Sequence, residues 1–344
     1  METIFTQGRR GPEMRPFSES AAVECRGCSD ALQRAITDFG ADGPFTDASA
    51  KLREHYGIDV PVSTVRAITE HHGAAMRARQ PQASPWPDAP GVSVLIAEMD
   101  GSMVPLVETA VPGDGDVPSD RRKTRQLSWT EARLCLAHEP GSVTPMFGAT
   151  MGSVDDAGDR LRECALAAGA GSQTRIHGLG DGAPWITDQV DRQFGTHATY
   201  LVDFYHLCEY LSAAADVIAG TGKAAWMEEQ KTWLKENRWP DVLETLRPFL
   251  ESAHIPDKDA PVRACHRYIS NRPQFLDYQG ALAARLPIGS GEIESAHRYV
   301  IQSRLKRAGA WWTLDNLSKM IALRVLRANR EWEDYWSQVN QKAA

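Results

Sequence analysis

Three acidic side chains stand out as candidates for chemistry at a phosphate group. Asp100 follows the β-rich run Val-Ser-Val-Leu-Ile-Ala-Glu-Met of residues 92–99 and precedes Gly101. Asp181 follows a second β-rich run, residues 175–179, and opens the stretch Asp-Gly-Ala-Pro. Two aspartates that close neighbouring strands can lie side by side, because paired strands run about 4.8 Å apart. Hard divalent cations take one or two such carboxylates from protein and fill their shell with water and phosphate oxygens. Two ions about 3.5–4 Å apart polarise an attacking oxygen and stabilise the leaving one in an in-line displacement at phosphorus. The expected cofactor is Mg2+ or Mn2+, as two ions.

A third ligand is expected from the helix start in Gly-Ser-Gly-Glu-Ile-Glu-Ser-Ala-His-Arg, residues 289–298. At about 100° per residue, Glu292 and Glu294 lie roughly 200° apart around a helix, so only one of them can face the aspartates. Glu294 shares a stripe with His297, Arg298 and Ile301 and is the expected ligand; Glu292 is the fallback. Asp203 and His206 fall within one helical turn of each other. Asp203 can cap that helix or take part in the chemistry, and His206 can move a proton, contact DNA or support the carboxylates.

The elements that must hold these residues can be read from periodicity. Residues 92–99 and 103–107 read as a hairpin about an Asp-Gly turn, which puts Asp100 at a strand end. Further strands are expected at 144–151, 175–179 and 199–202, with helices at 155–168, after Pro184, and from Asp203 toward Ala215. From Ala215 to about Leu286 the pattern is helical, with Trp226, Trp233 and Trp239 as core, and reads as an insertion. Four prolines in residues 80–90 mark an extended connector after a small helical module. In that module, residues 46–56 and 62–72 read as a helix-turn-helix: Ala48, Leu52 and Tyr56 inward, Gly57 at the turn, and Val62, Val65 and Ile68 anchoring the second helix. Ser63, Thr64 and Arg66 then point outward toward DNA.

The resulting fold class is α/β, divided as a DNA-binding module (1–80), a linker (81–90), a catalytic core in two parts (91–215 and 287–344) and the all-helical insertion (216–286). A net charge of −7 weighs against a nucleic-acid partner, but residues 298–330 carry eight basic side chains against the single acid Asp315. Arg298, Arg304, Lys306 and Arg307 in that stretch, with Arg122 and Lys123 of a second basic run, are the candidate phosphate contacts. Trp312, beside Trp311, is suited either to stacking on a base or to core packing. Six scattered cysteines do not form a secreted disulfide framework, and Cys25 and Cys28 are only half of a zinc-ribbon pattern. No long apolar run predicts a membrane span, and a cytoplasmic, nucleoid-associated protein is expected.

Five stretches together resemble insertion-sequence transposases of the ISKra type, more distantly the Mutator-like group. They are Asp100-Gly101; residues 122–134; His-Gly-Leu-Gly-Asp-Gly-Ala-Pro-Trp-Ile at 177–186; Asp203-Phe204-Tyr205-His206; and residues 289–312 with Arg-Leu-Lys-Arg-Ala-Gly-Ala-Trp-Trp. The resemblance implies a ribonuclease H-like catalytic domain with Asp100, Asp181 and Glu294 as metal-binding triad and Asp203 and His206 as the accompanying Asp-x-x-His. It implies DNA partners, the terminal repeats of a mobile element and a target, acted on by a homodimer or higher oligomer. A ribonuclease H-like nuclease without strand transfer, and a helix-turn-helix transcription regulator, are the competing readings.

Overall fold

The structure is a computed structural model that describes residues 5–6, 13–14, 27–79, 85–109 and 123–343. It divides into two compact units. A sheet unit comprises residues 83–101 and 133–296, and a helical unit comprises residues 1–82, 102–132 and 297–344.

The sheet unit is built on five strands: β1 (Val94–Thr109), β2 (Arg125–His138), β3 (Met146–Thr150), β4 (Arg175–Gly180) and β5 (Ala198–Val202), in the order β3-β2-β1-β4-β5. β2 and β3 pair antiparallel, whereas β1, β4 and β5 run parallel. A parallel return needs a crossover, supplied here by α4 (Val154–Ala167) before β4 and α5 (Pro184–Phe194) before β5. α4 starts on a capping box at Ser153 and Asp156, and α5 starts with Pro184 in its first turn.

Both sheet faces are covered, so β1 is buried almost continuously from Leu95 to Met99. On one face Leu95, Ala97, Met99 and Ile176 pack with Leu161 and Ala165 of α4 and Val190 of α5. On the other, Ile96, Leu179 and Leu201 pack with helices α6 (Phe204–Ile218), α7 (Lys223–Lys235), α8 (Trp239–Leu246), α9 (Pro261–Ser270) and α10 (Tyr278–Ala283). Trp226, Trp233 and Trp239 pack partly buried against this second cluster, as core of the helical segment.

One expected element is corrected. No Asp-Gly hairpin turns at residue 100: β1 runs without a break through Asp100 and Gly101 to Thr109, and Gly101 is not among the positive-φ glycines. Asp-Gly permits a tight turn but does not force one, and the parallel ladder to β4 holds residue 94 to residue 98 extended. Strand β2 went unread in the sequence.

The helical unit holds α1 (Asp30–Asp42), α2 (Phe45–Tyr56), α3 (Val62–Ala78), α12 (Leu314–Ala328) and α13 (Trp332–Ala343). Ile36, Ala48, Leu52, Val60, Val65 and Ile68 form the core of the first three. Gly57 ends α2 in the left-handed region at φ 65°, which glycine adopts without cost. Two side chains expected to face inward do not. Tyr56 is 57 % exposed at the last turn of α2, beside Phe39, and Val62 is 41 % exposed because it opens α3 beyond the reach of the core. α12 packs on α3 so closely that a Cβ at Gly73 would meet the Lys319 carbonyl oxygen at 2.8 Å. His72 of α3, neutral because burial pushes its pKa down to about 4, joins Gln33 of α1 to Tyr335 of α13.

This packing uses part of the basic stretch. Arg324 and Arg327 pair with Asp42 and Asp38 of α1, and Lys319 pairs with Asp315, so these three cations serve the fold instead of presenting a free phosphate-facing surface. Among the described residues no helix is long and apolar enough to cross a membrane.

Candidate active site at the strand ends

Strand register decides where the aspartates fall. β1 and β4 pair with Glu98 opposite Leu179, and β4 and β5 pair with Gly180 opposite Val202. Continued past its last paired residues, that register would bring Asp100 level with Asp181, and Asp181 level with Asp203. Side chains alternate across a strand, so Asp100 shares a face with Glu98 and Ile96, and Asp181 with Leu179. The three aspartates therefore line one face where β4 and β5 end. The chain goes from β1 to β2 and β3 on one side and returns to β4 on the other, which makes this the topological switch point of the sheet, the usual ligand site of an open α/β sheet.

Each aspartate is held differently. Asp100, half-buried, accepts the N–H of Gly101 at 2.7 Å. Asp181 accepts the N–H of Ala183 at 2.8 Å, a short Asx turn that passes through Gly182 at φ 76°. That turn is braced from α9: the Tyr268 hydroxyl donates to the Asp181 carbonyl at 2.6 Å, and Arg272 Nε donates to the Gly182 carbonyl at 3.0 Å. Burial pushes the Tyr268 phenol far up, so it stays protonated and keeps donating. A Cβ on Gly182 would stand 2.7 Å from Arg272 Nε, so glycine is required both for φ and for the brace.

Asp203 caps α6. Its Oδ1 accepts the N–H groups of Tyr205 and His206 at 2.6 and 3.0 Å, and its Oδ2 accepts the N–H and hydroxyl of Ser290 at 2.7 and 2.5 Å. Four donors use the four acceptor positions of a carboxylate. Asp203 accordingly ties β5 and α6 to the segment before α11 (Gly291–Ala296). His206, on the first turn of α6, lies against Tyr210 and Tyr268, with Nδ1 3.5 Å from Glu209 Oε2. Tyr268, whose ring it contacts, links it to the Asp181 turn.

α11 lies against the same sheet face. The Ile293 N–H donates to Glu98 Oε2 at 2.8 Å, and Glu292 Oε2 stands 3.1 Å from Nε2 of the buried His138 on β2. Glu292 and Glu294 are both exposed, and of the two it is Glu292 whose carboxylate comes near His138. α11 gives way to a π-helical segment, His297–Gln302, in which His297 and Ile301 are buried, whereas Glu294 and Arg298 are exposed. Among the described residues no three His, Cys, Asp or Glu side chains gather closely enough to enclose a metal ion. A hard cation needs fewer: one or two carboxylates with water and phosphate, a donor set that Asp100 and Asp181 supply by type and level.

Glu98 was missed in the sequence, although its place two residues before Asp100 puts it on the same strand face. It is 1 % exposed, and burial raises its pKa to about 8; the Ile293 N–H opposes the shift, and Glu292 and Asp203 add to it. The unfolded chain releases this proton near 4.5, whereas the folded chain holds it up to about 8, so stability falls as pH rises between those values. The slope is at most about 1.4 kcal/mol per pH unit. Glu98→Gln keeps an acceptor for Ile293 and is expected to flatten this decline in urea unfolding between pH 5 and 8; an unchanged slope would reject the buried proton.

The candidate DNA contacts lie in the helical unit. Ser63 and Arg66 are exposed and Thr64 is half-buried at the start of α3; Lys123, Arg298, Lys306 and Arg307 are exposed; Arg304 and Trp312 are buried. Arg122 and Cys25 lie outside the described residues, and Cys28 is a free thiol.

The sheet order and the acids at its switch point define a mixed α/β protein with a carboxylate-lined site at its parallel strand ends. Residues 159–339, just over half of the chain, match the model of the Uncharacterised protein family (UPF0236), and the chain belongs to that family. The matched segment includes Asp181, Asp203, Glu292 and Glu294, with Asp100 upstream of it. No curated protein matches the chain.

Proposed function

We propose that this chain is a DNA transposase whose sheet unit is a ribonuclease H-like phosphodiester-transfer core. The observation that carries the reading is the shared level of Asp100 and Asp181 at the switch point of the sheet, with a glutamate-bearing helix on the same face. The motifs at residues 177–186, 203–206 and 289–312 supply the resemblance that makes the phosphate a DNA phosphate.

Asp100 and Asp181 would hold the ions, Mg2+ or Mn2+, and the chemistry these would supply is activation of the attacking oxygen and neutralisation of charge on the scissile phosphate. The protein's own part is positional. Tyr268 and Arg272 fix the Asp181 turn, and Asp203 fixes the entry of α11 through Ser290. The third carboxylate comes from α11. The resemblance assigns it to Glu294, whereas the contact with His138 favours Glu292. Separate Glu292→Gln and Glu294→Gln variants assign the role, since only loss of the ligand removes cleavage. Water would break the P–O3′ bond at the element end and free its 3′-hydroxyl. That hydroxyl would then attack a target phosphodiester, joining to the target's 5′ phosphate and releasing the target's own 3′-hydroxyl, two displacements at phosphorus with one geometric requirement.

The test uses labelled duplexes carrying the element's own terminal sequences, with Mg2+ and a target plasmid. A transposase yields nicked ends and joined product. Nicks without joining would replace the reading with a nuclease, and tight binding with no cleavage in Mg2+ or Mn2+ would replace it with a DNA-binding regulator.

A further inference from the structure

The helical unit contains a cavity of about 320 Å3 that the phosphodiester chemistry does not use. That volume lies at the small end of the range for ligand sites, roughly 300–1,000 Å3. It is bounded by the starts of α2 and α3 and by residues 307–312. Three independent features of its wall point to an anion joined to a flat ring.

The first is charge. Arg66, Arg304 and Arg307 line the cavity against one acid, Glu70, which Arg66 already engages at 2.7 Å. Arg304 is 3 % exposed and pairs with no carboxylate among the described residues; its Nε donates to the Gly40 carbonyl at 3.2 Å. The nearest acid acting on it, Asp42, is spent on Arg324 and Arg327. Burial and the neighbouring Arg307 and Arg324 lower its pKa to about 10, so it stays charged at neutral pH. A buried guanidinium without a counter-ion is costly unless an anion reaches it.

The second is the backbone. α2 and α3 both begin at this cavity, at Phe45 and Val62, and both follow a proline that provides no side-chain cap. Two helix starts with unsatisfied N–H groups converge there, each favouring negative charge. The third is aromatic surface. Phe45, Trp311 and Trp312 line the same space, with Arg304 held 5.0 Å from the Phe45 ring and 4.7 Å from the Trp312 ring. The Trp312 indole N–H is buried without an acceptor among the described residues, and Trp311 is 43 % exposed. The main chain fixes this wall, because the Val107 N–H donates to the Trp312 carbonyl at 2.8 Å.

We propose that the cavity takes one unstacked nucleotide of a DNA strand, its base on the Trp311 and Phe45 surfaces and its phosphate among Arg304, Arg307 and the two helix starts. The proposal names the substrate feature recognised by the helical unit and rests on the DNA reading above, though not on the phosphodiester chemistry. A base that stacks on an aromatic side chain must first be unpaired, so a strand that already offers an unpaired base is expected to gain roughly tenfold over a paired one.

The test is equilibrium binding in EDTA, where cleavage cannot occur, of a fluorescein-labelled duplex with one extrahelical adenosine and of the same duplex fully paired. Wild-type protein is expected to prefer the first about tenfold. Trp311→Ala, at an exposed position, should remove the preference while leaving affinity for the paired duplex nearly unchanged. Arg307→Gln should weaken binding of the bulged duplex and reduce its salt slope by about one. Equal affinity of wild type for both duplexes, or an intact preference in Trp311→Ala, overturns the proposal. Complete competition by free adenosine monophosphate at the protein's own concentration also overturns it, by making a free nucleotide the occupant. Loss of cleavage in Mg2+ with the preference intact would instead sink only the transposase reading.

Discussion

Asp100→Asn and Asp181→Asn are each expected to reduce end cleavage and joining by at least ~10³-fold while leaving the fold and DNA binding in place. The size follows from the kind of group lost. An amide keeps the shape and one acceptor, so the Gly101 and Ala183 N–H bonds at 2.7 and 2.8 Å survive. It lacks the negative charge that a hard cation requires, and a bound ion supplies several kcal/mol of stabilisation to the transferring phosphoryl group, each 1.36 kcal/mol being a factor of about ten in rate. Each variant should therefore melt close to wild type and bind labelled ends normally, but yield no product in Mg2+. Near-normal rates in both variants would remove the metal site from the proposal altogether.

Much of the sheet was legible because its strands are short and their ends are marked. The run from Arg175, the Asp-Gly-Ala-Pro that follows, and Asp203 ahead of an apolar helix each tie a strand end to a cap or turn residue. Periodicity gave the element, and the punctuation gave its limit. β1 shows where local signals fail. Asp100-Gly101 has turn chemistry, but the strand that β4 pairs from Val94 to Glu98 runs on extended through it. β2 failed for another reason. Every position of its first half from Arg125 to Trp129 is exposed, Leu127 and Trp129 included, so no buried face imposes the alternation that marks a half-buried strand.

The site was legible in its carboxylates and not in their supports. Asp100 and Asp181 follow visible strand runs, whereas Tyr268, Arg272, Ser290 and His138 act from elements distant in sequence and carry no local motif that links them to the aspartates. Burial of Arg304 was equally hidden. A basic stretch reads as surface, yet this guanidinium is buried close to the rings of Phe45 and Trp312, and only the packed structure separates it from its exposed neighbours Lys306 and Arg307.

Asp203 carries the other large effect, and two substitutions there separate its roles. Asp203→Ala removes a helix cap, worth about 1 kcal/mol, and leaves the Ser290 N–H and hydroxyl without their charged acceptor, at about 1.5–3 kcal/mol per bond. A loss of roughly 4–7 kcal/mol is expected in urea unfolding, large against the marginal stability of a folded domain. Asp203→Asn keeps the Oδ1 acceptor for Tyr205 and His206, and with it the cap. Its amide nitrogen cannot accept from the Ser290 N–H, so the start of α11 loses its anchor while α6 stays folded. Stability should then fall by only ~1–2 kcal/mol. Cleavage should drop by roughly 10–100-fold, because the glutamate-bearing helix is held less well and small misplacements are expensive in a positioned reaction. A metal ligand would behave otherwise. If Asp203→Asn matched Asp100→Asn in abolishing product with no change in stability, the carboxylate would be coordinating an ion, and the four hydrogen bonds that now saturate it would have to rearrange when the ion enters.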